Sequence, residues 1–399
     1  MKLPVRKSLI LMYAGIGCGF ILSELATSYA VDAVVATLVF TLLVSKSSVR
    51  SSVQLMFAMG FGVFIYAPAM LNGYIFDTPF TLFYLTTIPA LSFLLFTNDL
   101  VYKRPLSYRK GYLVLFLAFA LVVIVGSVFK INQLFFLSVL VMFYALSLRT
   151  DRSMFNLTIS FIFLITFLVY YLFGWDGFGR TVTFGMLITA FLYFCYATGI
   201  FVPKFVVIGV AMAGSIIAVG RKGYNTALDL DVISQDSVVG PYRLASEFLD
   251  HAQQSGLDLR GFVDQVIFSL FSFVPRGLWP SKPFGFGYQY VLDNMDPYLA
   301  LAGHSIASTL IGDHLYYLGL WGVITGIVMC YVIAKFCRLA NSMKLFDGFG
   351  VVLFSSNMMV LIWGGMTSFS ARIIHPLIIF SFLIWIYFLL RRLRIGAWS

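Results

Sequence analysis

Apolar positions in this chain come in long unbroken runs rather than in alternation. Crossing about 30 Å of hydrocarbon takes roughly 17–25 apolar residues in a helix. Twelve runs meet or approach that length: 8–25, 30–45, 52–71, 79–97, 111–129, 132–148, 153–173, 180–200, 203–220, 306–337, 349–369 and 372–390. The second and sixth are short. The tenth is long and carries Gly312 and Asp313 in its first half, so it is expected to begin outside the membrane. Lipid offers no partner to an unpaired backbone group, so each run should be a helix, and the alternation of a barrel strand is absent. The pattern predicts an all-α integral membrane protein of about 12 transmembrane helices. Residues 1–220 carry spans one to nine and 305–399 carry spans ten to twelve. One large loop, 221–304, separates spans nine and ten.

That loop is the only long polar interval, and it reads as pieces. Residues 241–255 begin with Pro241 and are followed by Gly256, the usual punctuation of a helix. In 258–273 the apolar positions Phe262, Val263, Val266, Ile267, Leu270 and Phe271 follow helical spacing, which predicts a helix lying on or dipping into the bilayer surface. Next comes Pro275-Arg-Gly-Leu-Trp-Pro-Ser-Lys-Pro283, whose three prolines forbid a continuous helix. This stiff frame presents Arg276, Trp279 and Lys282. The stretch His304–Gly322 leads into the tenth span. If it is helical, Asp313 and Tyr317 share a face, and His304 lies about two and a half turns from Asp313.

Composition sharpens the class. Charged residues make up 11% of the 399 and hydrophobic ones 60%, against about 25% charged in a soluble domain. The N-terminus lacks a clean cleavage site after its first apolar run and is expected to be a retained span rather than a signal peptide. Cys18, Cys195, Cys330 and Cys337 lie in or beside apolar runs with no CxxC, and the four histidines show no HExxH spacing. Neither a disulfide framework nor a metal site is expected. No Walker pattern and no GxGxxG after a strand occur, so no nucleotide cofactor is expected either.

The net charge of +10 belongs to topology. With the N-terminus in the cytoplasm and the spans alternating, the inner loops and both termini collect 18 of the 27 Lys and Arg residues, as the positive-inside rule requires. The long loop is then external, on a face with more acids than cations. That distribution argues against nucleic acid as a partner. Ionisable groups are nearly absent from the spans, which argues against an ion-driven carrier. The external cations include Arg180, Arg221 and Arg372, where spans meet the surface, and Arg243, Arg276 and Lys282 in the loop. A cation at a span end commonly snorkels. A guanidinium also offers a fork of donors matched to phosphate. His304 and His314 have side chains that titrate nearest neutrality, and Asp313 joins them if burial raises its pKa.

The run Phe273-Val-Pro-Arg-Gly-Leu-Trp-Pro-Ser-Lys-Pro283, then Gly312-Asp-x-x-Tyr-Tyr-x-Gly-x-x-Gly322, resembles the oligosaccharide repeat-unit (O-antigen) polymerases of the Wzy type. So do Trp175-Asp-Gly-Phe-Gly-Arg180 and the plan of many spans, one large loop and a few closing spans. The motif content covers about forty residues. The resemblance implies a GT-C-like, O-antigen-ligase-like architecture and a glycosyltransferase on the periplasmic face of a bacterial inner membrane. Donor and acceptor would both be undecaprenyl-diphosphate-linked oligosaccharides. A flippase and a chain-length regulator of the same pathway would be its partners, and no cofactor would be needed. Arg180, Arg221 and Arg276, backed by Arg243, Lys282 and Arg372, would hold diphosphate, and His304, Asp313 or His314 would serve as base. Asp313 stands where the family pattern has Glu, which leaves the base open. An O-antigen ligase shares the plan. A lipid-linked-oligosaccharide flippase is the alternative from another class, and it calls for charged residues lining a cavity within the spans.

Overall fold

The computed structural model describes residues 29–48, 51–76, 80–98, 100, 110–129, 134–149, 153–174, 180–209, 211–212, 239–295, 297–301, 305–342 and 349–396. Among these the chain is all-helical, with no strand. The first half contains α1 (Tyr29–Lys46), α2 (Ser52–Phe61, continuing through a π turn Gly62–Tyr66 into Ala67–Phe76), α3 (Thr81–Phe96), α4 (Lys110–Val128), α5 (Leu134–Ser147), α6 (Ser153–Val169) and α7 (Arg180–Thr198). The loop contributes α8 (Gly240–Ser255), α9 (Leu259–Phe271), α10 (Phe286–Asn294) and α11 (Pro297–Leu301). A short α12 (Gly312–Leu318) and a span α13 (Trp321–Ser342) follow. A last helical run, Phe349–Gly396, is broken at Gly365 into α14 (349–364) and α15 (366–396). Among the described residues, seven helices are long and apolar enough to cross a membrane, and two shorter apolar helices accompany them.

The bundle is centred on α2, α7 and α14. Residues 52–61 of α2 are buried all round, as expected of a helix with no polar face. Ser52 Oγ lies 2.6 Å from Ser355 Oγ and 3.3 Å from the Tyr193 hydroxyl. Further along, Gly60 faces Ile362 and Gly185 faces Ser356. These pairings run α2 parallel and α7 antiparallel to α14. The Arg180 end of α7 therefore lies at the same end of the bundle as Gly365. The outer helices α4 and α6 turn Val114, Leu121, Met154 and Phe161 outward, an apolar belt suited to lipid.

Three expectations change in detail. The tenth run is not one helix: 305–308 is non-helical, α12 is separate, and the span starts at Trp321. The eleventh and twelfth runs meet at Gly365 rather than near residue 370. In a straight helix Phe354 and Phe369 would be about 22 Å apart along the axis, yet their ring centroids lie 6.0 Å apart, so α15 folds back beside α14. The loop also contains α10 and α11, which glycine-rich sequence around Gly285 and Gly287 did not announce. The first run, 8–25, and half of the ninth lie outside the described residues.

The loop helices form a roof over one end of the bundle. Phe248 of α8, Phe286 and Tyr290 of α10 and Tyr316 of α12 meet at centroid separations of 5.4–5.9 Å. Tyr242 packs beside Tyr84 at the start of α3, which ties α8 to the bundle.

Candidate functional site

Under this roof the chain places an acid against a broken helix. After the non-helical 305–308, Ile311 packs on Gly326 of α13, which Pro89 of α3 also approaches, and α12 begins. Thr309 is buried and adopts φ +64°, a region that costs a β-branched residue on the order of 1–3 kcal/mol. Its backbone N–H donates to Trp363 O at 3.0 Å. Ser308 and Asp313 close on Gly365, which has φ +68°. A Cβ at Gly365 would lie 2.7 Å from Ser308 Oγ and 3.1 Å from each Asp313 carboxylate oxygen. Only glycine meets both demands, the positive φ and the close approach.

Asp313 is 2% exposed. Oδ1 accepts the His314 backbone N–H at 3.1 Å, and Oδ2 has no partner. Burial penalises the charged form and pushes the carboxyl up to about 7, with backbone hydrogen bonds from His314 and its own N–H holding it lower than burial alone would. The same burial pushes His314 down to about 4, so its ring is neutral. Its Nδ1 lies 2.8 Å from Thr325 Oγ1, a hydroxyl that also reaches Gly322 O at 3.1 Å. Nε2 faces Asp313 Oδ1 at 4.0 Å. The Phe262 ring of α9 covers the imidazole edge-on, at 5.2 Å between centroids.

The proline-framed segment has a different construction from the one its sequence promised. The Arg276 guanidinium lies over the Phe284 ring at 3.6 Å and donates to Lys282 O at 2.7 Å and Pro283 O at 3.0 Å. Lys282 is buried, and its Nζ donates to Ser272 O at 3.0 Å and Val274 O at 2.7 Å. Burial, and then the Arg276 charge, lower its pKa. Both cations fasten the loop to itself and to the end of α9, and the prolines supply only part of its stiffness. Gln265 extends the fastening: its Nε2 donates to Phe284 O at 3.3 Å and to the Tyr317 hydroxyl at 3.4 Å. Gly287 is explained by Ile306, whose backbone pairs with it and leaves no room for a side chain.

Of the sequence candidates, Asp313 and His314 are brought together in one buried pair, and Arg276 and Lys282 in one loop. Arg180 opens α7 at the Gly365 end of the bundle, and its side chain lies outside the described residues, as do Arg221 and His304 entirely. Residues 305–308 are not helical, so the helical spacing from His304 to Asp313 does not hold. Arg243 is half-buried on the first turn of α8, and Arg372 is exposed on α15. Sequence reasoning missed Gly365, Ser308, Thr309 and Thr325. The one available signal was Gly364-Gly365 inside an otherwise apolar run. Among the described residues no three His, Cys, Asp or Glu side chains gather as metal ligands would. A scan against protein-family models finds no match. Neither the curated proteins nor the solved structures contain a match to the chain.

Proposed function

We propose that this protein is a membrane glycosyltransferase that joins lipid-diphosphate-linked oligosaccharide units on the outer face of the membrane, as a polysaccharide polymerase. The observation that carries the reading is the Asp313 carboxyl, buried beside Gly365 with one oxygen unpaired. A base that titrates near neutral pH suits the abstraction of a proton from a sugar hydroxyl. In the reaction, an acceptor hydroxyl oxygen attacks the anomeric carbon of the donor sugar, and its proton passes to Asp313. The bond from that carbon to phosphate breaks, and the lipid diphosphate leaves with the electron pair. Negative charge grows on the leaving phosphate, which fixed cations stabilise. Arg180 stands at the Gly365 end of the bundle, and Arg372 follows the break by seven residues. Their place in the chain puts both forward for that role, while Arg276 and Lys282 already spend donors on carbonyls of their own loop and of the end of α9. His314 keeps a neutral ring beside the acid, and the motif resemblance supplies the substrate class.

The test is turnover of lipid-linked repeat units by purified Asp313→Asn, His314→Ala and wild-type protein. The expectation is a loss of about 10²–10⁴ in Asp313→Asn, the usual worth of a positioned base, with a rate in wild type that rises with pH through about 7. An Asp313→Asn protein that turns over at the wild-type rate would refute the assignment. In cells lacking the protein, single attached units without a ladder indicate a polymerase, and loss of all attached glycan indicates a ligase or a transporter.

A further inference from the structure

Helix α9 is amphipathic in the reverse of the soluble sense. Its outward face carries Leu259, Val263, Leu270 and Phe271, all exposed, as on a helix lying against hydrocarbon. Its inward face carries Phe262, Gln265, Ser269 and Ser272, spaced i, i+3, i+7 and i+10 and so on one stripe. Gln265 is 3% exposed, Ser269 5% and Ser272 9%. Gln265 Oε1, Ser269 Oγ and Ser272 Oγ are all buried without a hydrogen-bond partner, as are Asp313 Oδ2 and His314 Nε2. A buried unpaired polar atom costs about 1–3 kcal/mol, so three on this stripe and two on the α12 pair beside it point to a partner that the protein itself does not supply. The seam along the stripe starts where Phe262 meets His314 and ends where Ser272 O accepts the Lys282 ammonium. Ten residues of helix make it about 15 Å long.

We infer that the inward stripe of α9, Gln265–Ser269–Ser272, is a binding track for a neutral, polyhydroxylated oligosaccharide, laid between the Asp313–His314 pair and the Arg276–Lys282 loop. Hydroxyl groups are donors and acceptors at once, so they satisfy Oε1 and Oγ atoms alike. The inference rests on the glycosyltransferase reading, and it assigns the track to the acceptor. The donor's diphosphate is bonded to the carbon under attack, so it must lie beside Asp313. A diphosphate at the far end of the seam can belong only to the acceptor, whose attacking hydroxyl lies several sugars away. Filling the track requires α9 to separate from α12 and from the broken helix it packs on, and its lipid-facing side leaves it free to do so.

The experiment uses full-length protein in detergent with Cys18 replaced by Ser. Cys195, Cys330 and Cys337 are buried. Ser269→Cys and Ser272→Cys are reacted with a small cationic methanethiosulfonate. Ser355→Cys, in the packed centre of the bundle, sets the rate for a closed site. We expect both track cysteines to react at least tenfold faster than this control. Undecaprenyl-diphosphate-linked oligosaccharide should slow both at least fivefold, whereas undecaprenyl diphosphate alone, whose diphosphate reaches only the Ser272 end, should leave Ser269→Cys fast. Reaction at the control rate in both variants would show dry packing and overturn the track. Fast reaction of Ser269→Cys that is unaffected by the sugar-bearing lipid, or slowed equally by the bare one, would overturn its assignment to glycan. Protection by the sugar-bearing lipid in a protein that never extends it would uphold the track and refute the polymerase instead.

Discussion

At the scale of residues, Asp313 and His314 make opposite demands on pH. Asp313 has its folded pKa raised from 3.8 to about 7. It therefore contributes stability at low pH that is lost as pH rises through that window. His314 has its folded pKa lowered from 6.5 to about 4, so its contribution is present above 6.5 and is lost as pH falls toward 4. In wild type the two trends oppose each other. In Asp313→Asn only the histidine's remains, so the thermal midpoint of the variant should gain on wild type steadily from pH 4 to 7 and then hold. A constant difference across that range would mean that Asp313 is not protonated in the folded protein. Thr325 acts one step further out, as a positioning residue. Thr325→Val keeps the shape and leaves His314 Nδ1 unpaired, a cost of about 1–3 kcal/mol. The expected result is a lower kcat, with the acidic limb displaced and KM unchanged, while Thr325→Ser restores both. Arg276→Lys should fail to rescue Arg276→Ala, because one ammonium cannot reach two carbonyls and stack on Phe284 together. The loop of either variant should be cut faster by protease in the intact protein.

At the scale of elements, the break at Gly365 does two jobs. It returns the chain as α15 and it opens a space into which α12 delivers the carboxylate. Gly365→Ala adds a methyl group against Asp313 and Ser308 and forces an L-residue to positive φ, worth about 1–2 kcal/mol by itself. The folded yield in detergent should collapse for Gly365→Ala and should be unchanged for Gly111→Ala, where nothing lies within 4 Å of the added Cβ. Helix α9 shows how far periodicity carries. The spacing of Phe262, Val263, Val266, Ile267, Leu270 and Phe271 announces an amphipathic helix, and Leu259–Phe271 is helical with apolar side chains exposed on one side. The same spacing does not tell that Phe262 turns inward onto His314 while Val263 and Leu270 face out.

At the scale of the molecule, the basic residues predict the sidedness of the roof. A reporter active only outside the cytoplasm should be active when fused after Ser255 and silent after Arg109 or Lys344. An inactive fusion at Ser255 would put α8, α9 and Asp313 on the cytoplasmic side and remove the access that lipid-linked glycan requires.

The sequence by itself determined the all-helical class, the positions of most of the long apolar helices and the two helices near 240–271. Those features follow from local hydropathy and from punctuation by proline and glycine, which act within a turn or two of chain. Tertiary structure alone decided that Asp313 is buried rather than merely near a surface, that its carboxylate rests on a glycine 52 positions later in the chain, and that Arg276 and Lys282 spend donors on their own loop. Each depends on which groups from distant segments exclude water from a side chain or reach it first. Solvation and hydrogen-bond competition of that kind leave no periodic trace along the chain.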